Sequence, residues 1–211
     1  MKNLIIIGAR GFGREVYDLA TQCSGYNIEY VVKGFLDDKI DALNGFENYP
    51  QIISSVEDYE IQENDVFVCA LGTVKWKKHY AELILEKGGR FINLIHPSTK
   101  LNTNVCVGEG LIVFMYANIS NDCIIADFVT IQGYVGLGHD TKIKKWAHLS
   151  SYSFTGGFVV LEEESTLNTR ATILPHVIVR KGATVGAASL VIKNVKENTT
   201  VFGIPAKKLE F

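Results

Sequence analysis

The second half of the chain repeats every six residues, and this repeat limits the possible folds more than any other feature. Starting at Leu101, every sixth position as far as Val191 is aliphatic except Thr155, so fifteen of the sixteen positions are aliphatic. An amphipathic helix repeats about every 3.6 residues and a half-buried strand about every 2, so neither keeps this register. A longer fixed period is typical of solenoids, whose repeats pack on one another. The repeat therefore predicts a stacked parallel coil.

A second series of positions, four residues after each aliphatic one, is mostly small or β-branched. It includes Val105, Ala117, Cys123, Val129, Ala147, Ser153, Ser165, Ala171, Ala183 and Ser189. A large residue that fills the interior, followed by a small one that lets the chain bend, describes a corner every six residues. Three such sides make a triangular coil of about eighteen residues, and the stretch from Leu101 to Val191 holds about five coils.

The first part of the chain instead alternates apolar runs with helical patterns, which is typical of a parallel sheet. We expect a small Rossmann-like α/β domain over residues 1–95 and a β-helix domain with a C-terminal tail over residues 96–211. The predicted strands cover residues 4–7, Tyr30 to Leu36, Asp65 to Leu71 and Phe91 to Ile95, and the predicted helices cover Arg14 to Cys23 and Val74 to Lys87.

Three glycines, at positions 8, 11 and 13, lie between the first predicted strand and the first helix. This order presents backbone N–H groups to a phosphate or another anion, although a purely structural tight turn fits a lone glycine turn about as well. In such sheets, ligands bind at the carboxyl ends of the strands, where Gly11, Asp37 and Gly72 fall. Asp37 is either a ligand-binding carboxylate or a solvated turn residue.

Composition excludes several classes of protein. The net charge of −2 comes without clustered Lys and Arg, so we expect no nucleic-acid partner. The apolar run near the N-terminus has only four residues, too few for a signal peptide or a membrane span. The four cysteines show no metal-ligand spacing and suit a reducing compartment. We therefore expect a cytoplasmic protein without a metal site or a membrane partner.

Motifs spread over both parts of the chain carry a family resemblance. The whole chain resembles the hexapeptide-repeat sugar acetyltransferases, which include sialic acid O-acetyltransferases and nucleotide-linked amino-sugar N-acetyltransferases. The resembling segments are Ile5 to Val16, Phe35 to Asp38, Asn93 to Pro97, Gly138 to Asp140 and Gly203 to Lys207.

This resemblance implies a left-handed parallel β-helix, a homotrimer with active sites between neighbouring subunits, and acetyl-CoA as co-substrate. It implies that His139 is the general base and that Asp140 raises its basicity. His148 would contact acetyl-CoA, with backbone near Gly157, Thr169 and Ala187 lining the pantetheine channel. The residues at nucleotide-sugar positions are Arg10, Gly11, Phe12, Asp37, Asp38 and Gly72. Many relatives carry His where this chain has Phe12, which leaves the nucleotide and the sugar open.

The residues themselves agree with this chemistry. A histidine with a pKa near neutrality can accept the proton of an attacking amine or hydroxyl. His139 follows the inward-facing Leu137 by two residues, so we expect it to project from a corner, with Gly133, Gly136 and Gly138 leaving room for a ligand. No Cys or Ser lies in a recognisable nucleophile motif, so direct attack on the thioester is favoured over an acyl-enzyme.

Three functions remain open at this point. The first is acetyl-CoA-dependent N-acetylation of the amino group of a nucleotide-linked sugar. The second is O-acetylation of a sugar hydroxyl on the same scaffold. The third is a non-catalytic β-helix scaffold, against which the presence of both His139 and Asp140 argues.

Overall fold

The computed structural model describes residues 1–209 and divides into two compact units. The first is Met1–Pro97 and the second begins at Ser98.

The first unit is a four-stranded parallel sheet with two helices, which confirms the predicted small parallel-sheet domain. The strand order is β3-β2-β1-β4, so β1 pairs with β2 on one side and with β4 on the other. Its elements are β1 (Lys2–Ile7), α1 (Gly11–Gln22), β2 (Tyr30–Leu36), β3 (Ile52–Ser54), β4 (Asp65–Cys69), α2 (Val74–Glu86) and β5 (Leu94–Ile95).

Several element bounds differ from the prediction. Helix α1 begins at Gly11 rather than Arg14, because the glycine turn is itself the first helical turn. A Cβ on Gly13 would lie 2.0 Å from the carbonyl oxygen of Gly8, so only glycine allows the helix to approach the strand end this closely. The last predicted strand shrinks to Leu94–Ile95, while Phe91 forms only an isolated bridge with Phe67. The short edge strand β3 was not predicted.

The second unit is a stack of two-residue strands followed by a short hairpin. These strands are β6 (Lys100–Leu101), β7 (Cys106–Val107), β8 (Ile112–Val113), β9 (Asn118–Ile119), β10 (Ile124–Ile125), β11 (Thr130–Ile131), β12 (Gly136–Leu137), β13 (Lys142–Ile143), β14 (His148–Leu149), β15 (Phe154–Thr155), β16 (Val160–Leu161), β17 (Thr166–Leu167), β18 (Thr172–Ile173), β19 (Ile178–Val179), β20 (Thr184–Val185), β21 (Leu190–Val191), β22 (Thr200–Gly203) and β23 (Ala206–Lys208).

These strands form three parallel faces, which confirms the β-helix. Each strand pairs with the strand one coil away, so that Ile131 lies beside Val113 on one side and Leu149 on the other. The sixteen repeat positions are the second residues of β6 to β21, and all are buried except Leu101 and Val107 in the first coil. The exception to the aliphatic pattern, Thr155, is fully buried, with its Oγ1 3.3 Å from Oγ1 of Thr141.

The corners between the faces have one residue with positive φ in every six, directly before the small position of the repeat. Equivalent corner residues of successive coils form three columns, which run along the three edges of the β-helix. Corner A contains Asn104, Asp122, Asp140, Phe158 and His176; corner B contains Gly110, Phe128, Trp146, Glu164 and Gly182; corner C contains Tyr116, Tyr134, Tyr152, Arg170 and Ala188. A left-handed conformation is costly for aromatic residues, and stacking between successive coils offsets this cost: the Tyr134 and Tyr152 rings lie 4.8 Å apart and nearly parallel.

The two helices of the first unit have 12 and 13 residues. Within residues 1–209, neither of them is long and apolar enough to cross a bilayer.

Candidate active site

His139 and Asp140 lie together at corner A, between β12 and β13. Nδ1 of His139 is 2.8 Å from Oδ2 of Asp140, and the His139 side chain is 58% exposed. Asp140 has a positive φ, as do the other residues of corner A. Because Nδ1 is engaged with the carboxylate, Nε2 is the ring nitrogen left to accept a proton from a substrate.

The next coil fixes the position of the imidazole. A Cβ on Gly157 would lie 2.6 Å from Cε1 and 2.7 Å from Nε2 of His139, so the ring rests on the glycine backbone. The ring of Phe158 meets the imidazole edge-on, with centroids 5.1 Å apart. His176 stacks on the other side of Phe158 at 4.9 Å. The next coil thus supports the ring on one side while more than half of the side chain stays exposed, which suits a proton acceptor that is held in place and open to a substrate.

His148 occupies a different place in the prism. It lies in β14, beside Thr130 and Thr166 of the neighbouring coils, and is only 6% exposed. It belongs to the face between corners B and C and not to the corner that holds His139.

Thr169 and Ala187 lie one coil apart at corner C. The carbonyl of Thr169 accepts the N–H of Ala188, so backbone groups of the two coils are directly joined there. Gly157, by contrast, lies at corner A with His139. One chain therefore presents the predicted catalytic pair and two of the predicted cofactor-binding residues on different edges of the β-helix.

The front unit holds a cavity of about 520 Å³ at the carboxyl ends of β1, β2 and β4. Of the residues predicted to bind the nucleotide sugar, it brings together Arg10, Phe12, Asp37, Asp38 and Gly72; Gly11 is not among the lining residues. The first turns of both helices face this cavity, and such turns leave N–H groups without an intrahelical acceptor.

Asp37 organises the glycine turn. It is 8% exposed, and its two oxygens accept the backbone N–H groups of Ala9 and Lys39, each at 2.9 Å. The interpretation of Asp37 as a solvated turn residue is therefore wrong. The guanidinium of Arg10 lies 3.7 Å away and is largely exposed, so its charge faces the cavity mouth.

Two aromatic residues of the cavity were not anticipated from the sequence. Trp76 and Tyr80 project from α2 into the cavity wall, with ring centroids 6.1 Å apart and planes inclined by 26°. The Tyr80 hydroxyl donates a hydrogen bond to Oδ2 of Asp38. Their i, i+4 spacing directly after Gly72 is the signal that places both on the helix face next to the strand ends.

A second cavity, of about 430 Å³, lies at the C-terminal end of the β-helix. Valine and proline side chains line it together with four lysines, Lys193, Lys196, Lys207 and Lys208. Among residues 1–209, no acidic side chain lines it, so the cavity is suited to an anionic ligand with an apolar part. In the described part of the chain, no cluster of three or more His, Cys, Asp or Glu side chains is arranged to hold a metal ion.

Comparison with known proteins finds one family model and several similar acetyltransferases. The PglD N-terminal domain family matches residues 3–84. GDP-perosamine N-acetyltransferase of Escherichia coli O157:H7 is 26% identical over 97% of this chain and 95% of its own length. The acetyltransferase domain of PglB from Neisseria gonorrhoeae, solved with acetyl coenzyme A, is 27% identical with a TM-score of 0.87, over 99% of each chain. Over nearly its whole length, the chain is therefore similar to acetyltransferases, one of which is named for a nucleotide-linked amino sugar.

The chain is also similar to acetyltransferases that are named for a different substrate, the serine acetyltransferases. Serine acetyltransferase of Bacillus pumilus is 30% identical over 63% of this chain. The chain spans about half of that relative, 56% of its length. The match to the PglD N-terminal domain lies within the front unit.

Proposed function

We propose that the protein transfers the acetyl group of acetyl-CoA to the amino group of a nucleotide-linked amino sugar, with His139 as general base. The observation that carries this proposal is the pairing of Nδ1 of His139 with Asp140 at an exposed corner, in a chain whose front unit holds a ligand-sized cavity at its strand ends.

The proposed reaction is a direct transfer. The amine nitrogen attacks the thioester carbonyl carbon while Nε2 of His139 takes the amine proton. The tetrahedral intermediate then collapses: the carbon–sulfur bond breaks, the amide remains, and the imidazolium returns the proton to the leaving thiolate of CoA. Asp140 stabilises the imidazolium between these two steps, and general-base assistance of this kind contributes roughly 10²–10⁴-fold.

The front unit supports a nucleotide-sugar acceptor rather than a free amino acid. Its cavity lies at the switch point of a parallel sheet, flanked by the first turns of two helices and by Arg10, an arrangement suited to a diphosphate. The four lysines around the second cavity would neutralise the phosphate groups of acetyl-CoA. The substrates named for the full-length relatives, GDP-perosamine among them, agree with this assignment.

The proposal includes a homotrimer in the cytoplasm. His139 and Gly157 lie at corner A, whereas Thr169 and Ala187 lie at corner C. An active site that contains all four of these residues needs corner A of one chain beside corner C of another. A closed ring of three parallel β-helices provides this arrangement. Light scattering on the purified chain tests this part: a mass of one chain at micromolar concentration contradicts it.

The activity is tested by incubating the protein with acetyl-CoA and a panel of nucleotide-linked amino sugars, with the corresponding hydroxy sugars and L-serine as matched acceptors. Release of CoA thiol and the mass of the product are followed. We expect acetylation of at least one amino sugar and none of its hydroxy counterpart. Turnover on a hydroxyl without turnover on any amine contradicts the proposal and favours O-acetylation.

A further inference from the structure

The aromatic wall of the front cavity has a specific arrangement. Trp76 is 49% exposed and lines the cavity, and Tyr80 stands one helical turn further along the same face of α2. The ammonium group of Lys75 lies 5.6 Å from the indole ring, and His79 meets the indole edge-on at 5.9 Å. A large aromatic side chain half exposed in a cavity is a stacking surface for a planar ligand.

Tyr80 ties this wall to Asp38. Its hydroxyl donates to Oδ2 of Asp38, and this hydrogen bond, with burial and nearby carboxylates, raises the pKa of Tyr80 to about 12. The phenol therefore stays protonated and keeps donating near neutral pH. The carboxylate of Asp38 is held at the cavity by a ring that itself packs on Trp76, while Asp37 is used by the glycine turn.

A carboxylate fixed beside a stacking surface matches one nucleobase better than the others. Its two oxygens are side by side and only accept hydrogen bonds. Guanine offers two adjacent donors on one edge, N1–H and the N2 amino group. Uracil and thymine offer a single N–H between two carbonyl oxygens, which a carboxylate repels, and adenine and cytosine place an amino group next to a bare ring nitrogen.

We propose that Trp76 stacks on the base of the nucleotide sugar and that Asp38, positioned by Tyr80, selects guanine. This inference rests on the proposed function, because it assigns the nucleotide of the same acceptor. It gives Trp76 and Tyr80 roles that the sequence pattern had not indicated, and it narrows the substrate class to guanosine diphosphate-linked amino sugars.

Binding of free nucleotides to the full chain, measured by titration calorimetry, tests the inference. We expect GDP to bind at least roughly tenfold more tightly than UDP, ADP or IDP, since IDP lacks only the amino group that Asp38 accepts from. Asp38→Asn should abolish the preference of GDP over IDP and improve binding of xanthosine diphosphate, whose carbonyl replaces that amino group.

Variants of Trp76 and Tyr80 test the roles of the two aromatic side chains in nucleotide binding. Trp76→Ala should weaken GDP roughly tenfold or more through lost stacking, whereas Trp76→Phe should retain most of the affinity. Tyr80→Phe should reduce the ratio of GDP to IDP affinity without changing acetyl-CoA binding. Tyr59→Phe is the matched control, because Tyr59 makes the same kind of bond to Asp65 and does not line the cavity.

The outcomes separate this inference from the proposed function. If UDP binds as tightly as GDP, or Asp38→Asn leaves the GDP to IDP ratio unchanged, guanine selection is wrong, while the proposed acetyl transfer stands. If none of the four nucleotides binds the folded protein, the nucleotide-sugar acceptor fails and this inference fails with it.

Discussion

The imidazole of His139 rests on the α-carbon of Gly157, one coil further along corner A. A Cβ at position 157 would lie within 2.7 Å of two ring atoms. The six-residue repeat produces this contact, because it places the corners of successive coils directly over one another. A solenoid thus positions a proton acceptor by backbone stacking as well as by side-chain packing.

Gly157→Ala should therefore lower kcat. The added methyl displaces the imidazole, and a displacement of about 1 Å can reduce turnover by roughly 10²-fold. Gly133→Ala is the matched control, because a Cβ there meets nothing closer than 3.4 Å. Steady-state kinetics on both variants check the prediction. If Gly157→Ala instead raises only KM for acetyl-CoA, Gly157 acts in the cofactor channel and does not set the position of His139.

Asp140→Asn should lower turnover by roughly tenfold or more, because the amide lacks the charge that stabilises the imidazolium. Binding of acetyl-CoA should stay within a factor of about two. Asp122→Asn serves as control: Asp122 occupies the same corner one coil earlier and accepts a hydrogen bond from Asn104. Equal losses in both variants would indicate an effect on the corner's stability rather than on catalysis.

Trp146→Ala should cost about 3–5 kcal/mol of stability, since it empties a buried aromatic site. Trp146 is 7% exposed and stacks on Phe128 with centroids 4.3 Å apart. Phe154→Ala should cost less than about 1 kcal/mol, because Phe154 is 49% exposed. Urea unfolding of both variants measures the difference. Similar losses would contradict the structural distinction between the two rings.

The stability of the front unit should depend on Asp65 in acid. The Asp65 side chain is fully buried and accepts hydrogen bonds from Lys33, Tyr59 and the N–H of Gln62. Burial by itself raises the pKa of this carboxyl, but the three donors outweigh it and the pKa lies below the ordinary value.

Because the folded pKa is the lower one, the stabilisation is complete above the unfolded value of about 3.9 and is lost as the pH falls through the folded pKa. Asp65→Asn should cost roughly 2 kcal/mol at neutral pH. The difference between the two proteins should shrink below about pH 4, as followed by thermal unfolding at several pH values. A difference in stability that does not shrink at all as the pH falls below about 4 would contradict the role of the charge.

The β-helix could be predicted because its signal is strictly local and periodic. The sixteen repeat positions are six residues apart without an insertion, so counting in steps of six along the sequence identifies inward-facing residues such as Leu137 and Leu167. The outward positions could not be predicted in this way. Trp146 and Phe154 both fall outside the aliphatic series, yet one is buried and the other exposed, because stacking within a corner column depends on the residues eighteen positions away.

The front cavity was only partly predictable for a similar reason. The positions of the strand ends predicted Asp37 and Gly72, since the carboxyl ends of parallel strands converge, whereas Gly11, predicted in the same way, does not line the cavity. The bond between Tyr80 and Asp38 joins residues from separate elements, and no local pattern specifies which helix face meets a strand end. Likewise, the repeat places His139 at a corner, but counting six-residue steps does not specify that its Nδ1 meets the carboxylate of Asp140.

The most direct test of the account is the turnover of His139→Ala, measured by release of CoA thiol with saturating acetyl-CoA and the amino-sugar nucleotide that the wild-type protein acetylates. The account predicts a fall in kcat of roughly 10²-fold or more with the dissociation constant for acetyl-CoA nearly unchanged. Turnover equal to that of the wild type would contradict it and remove His139 from the mechanism.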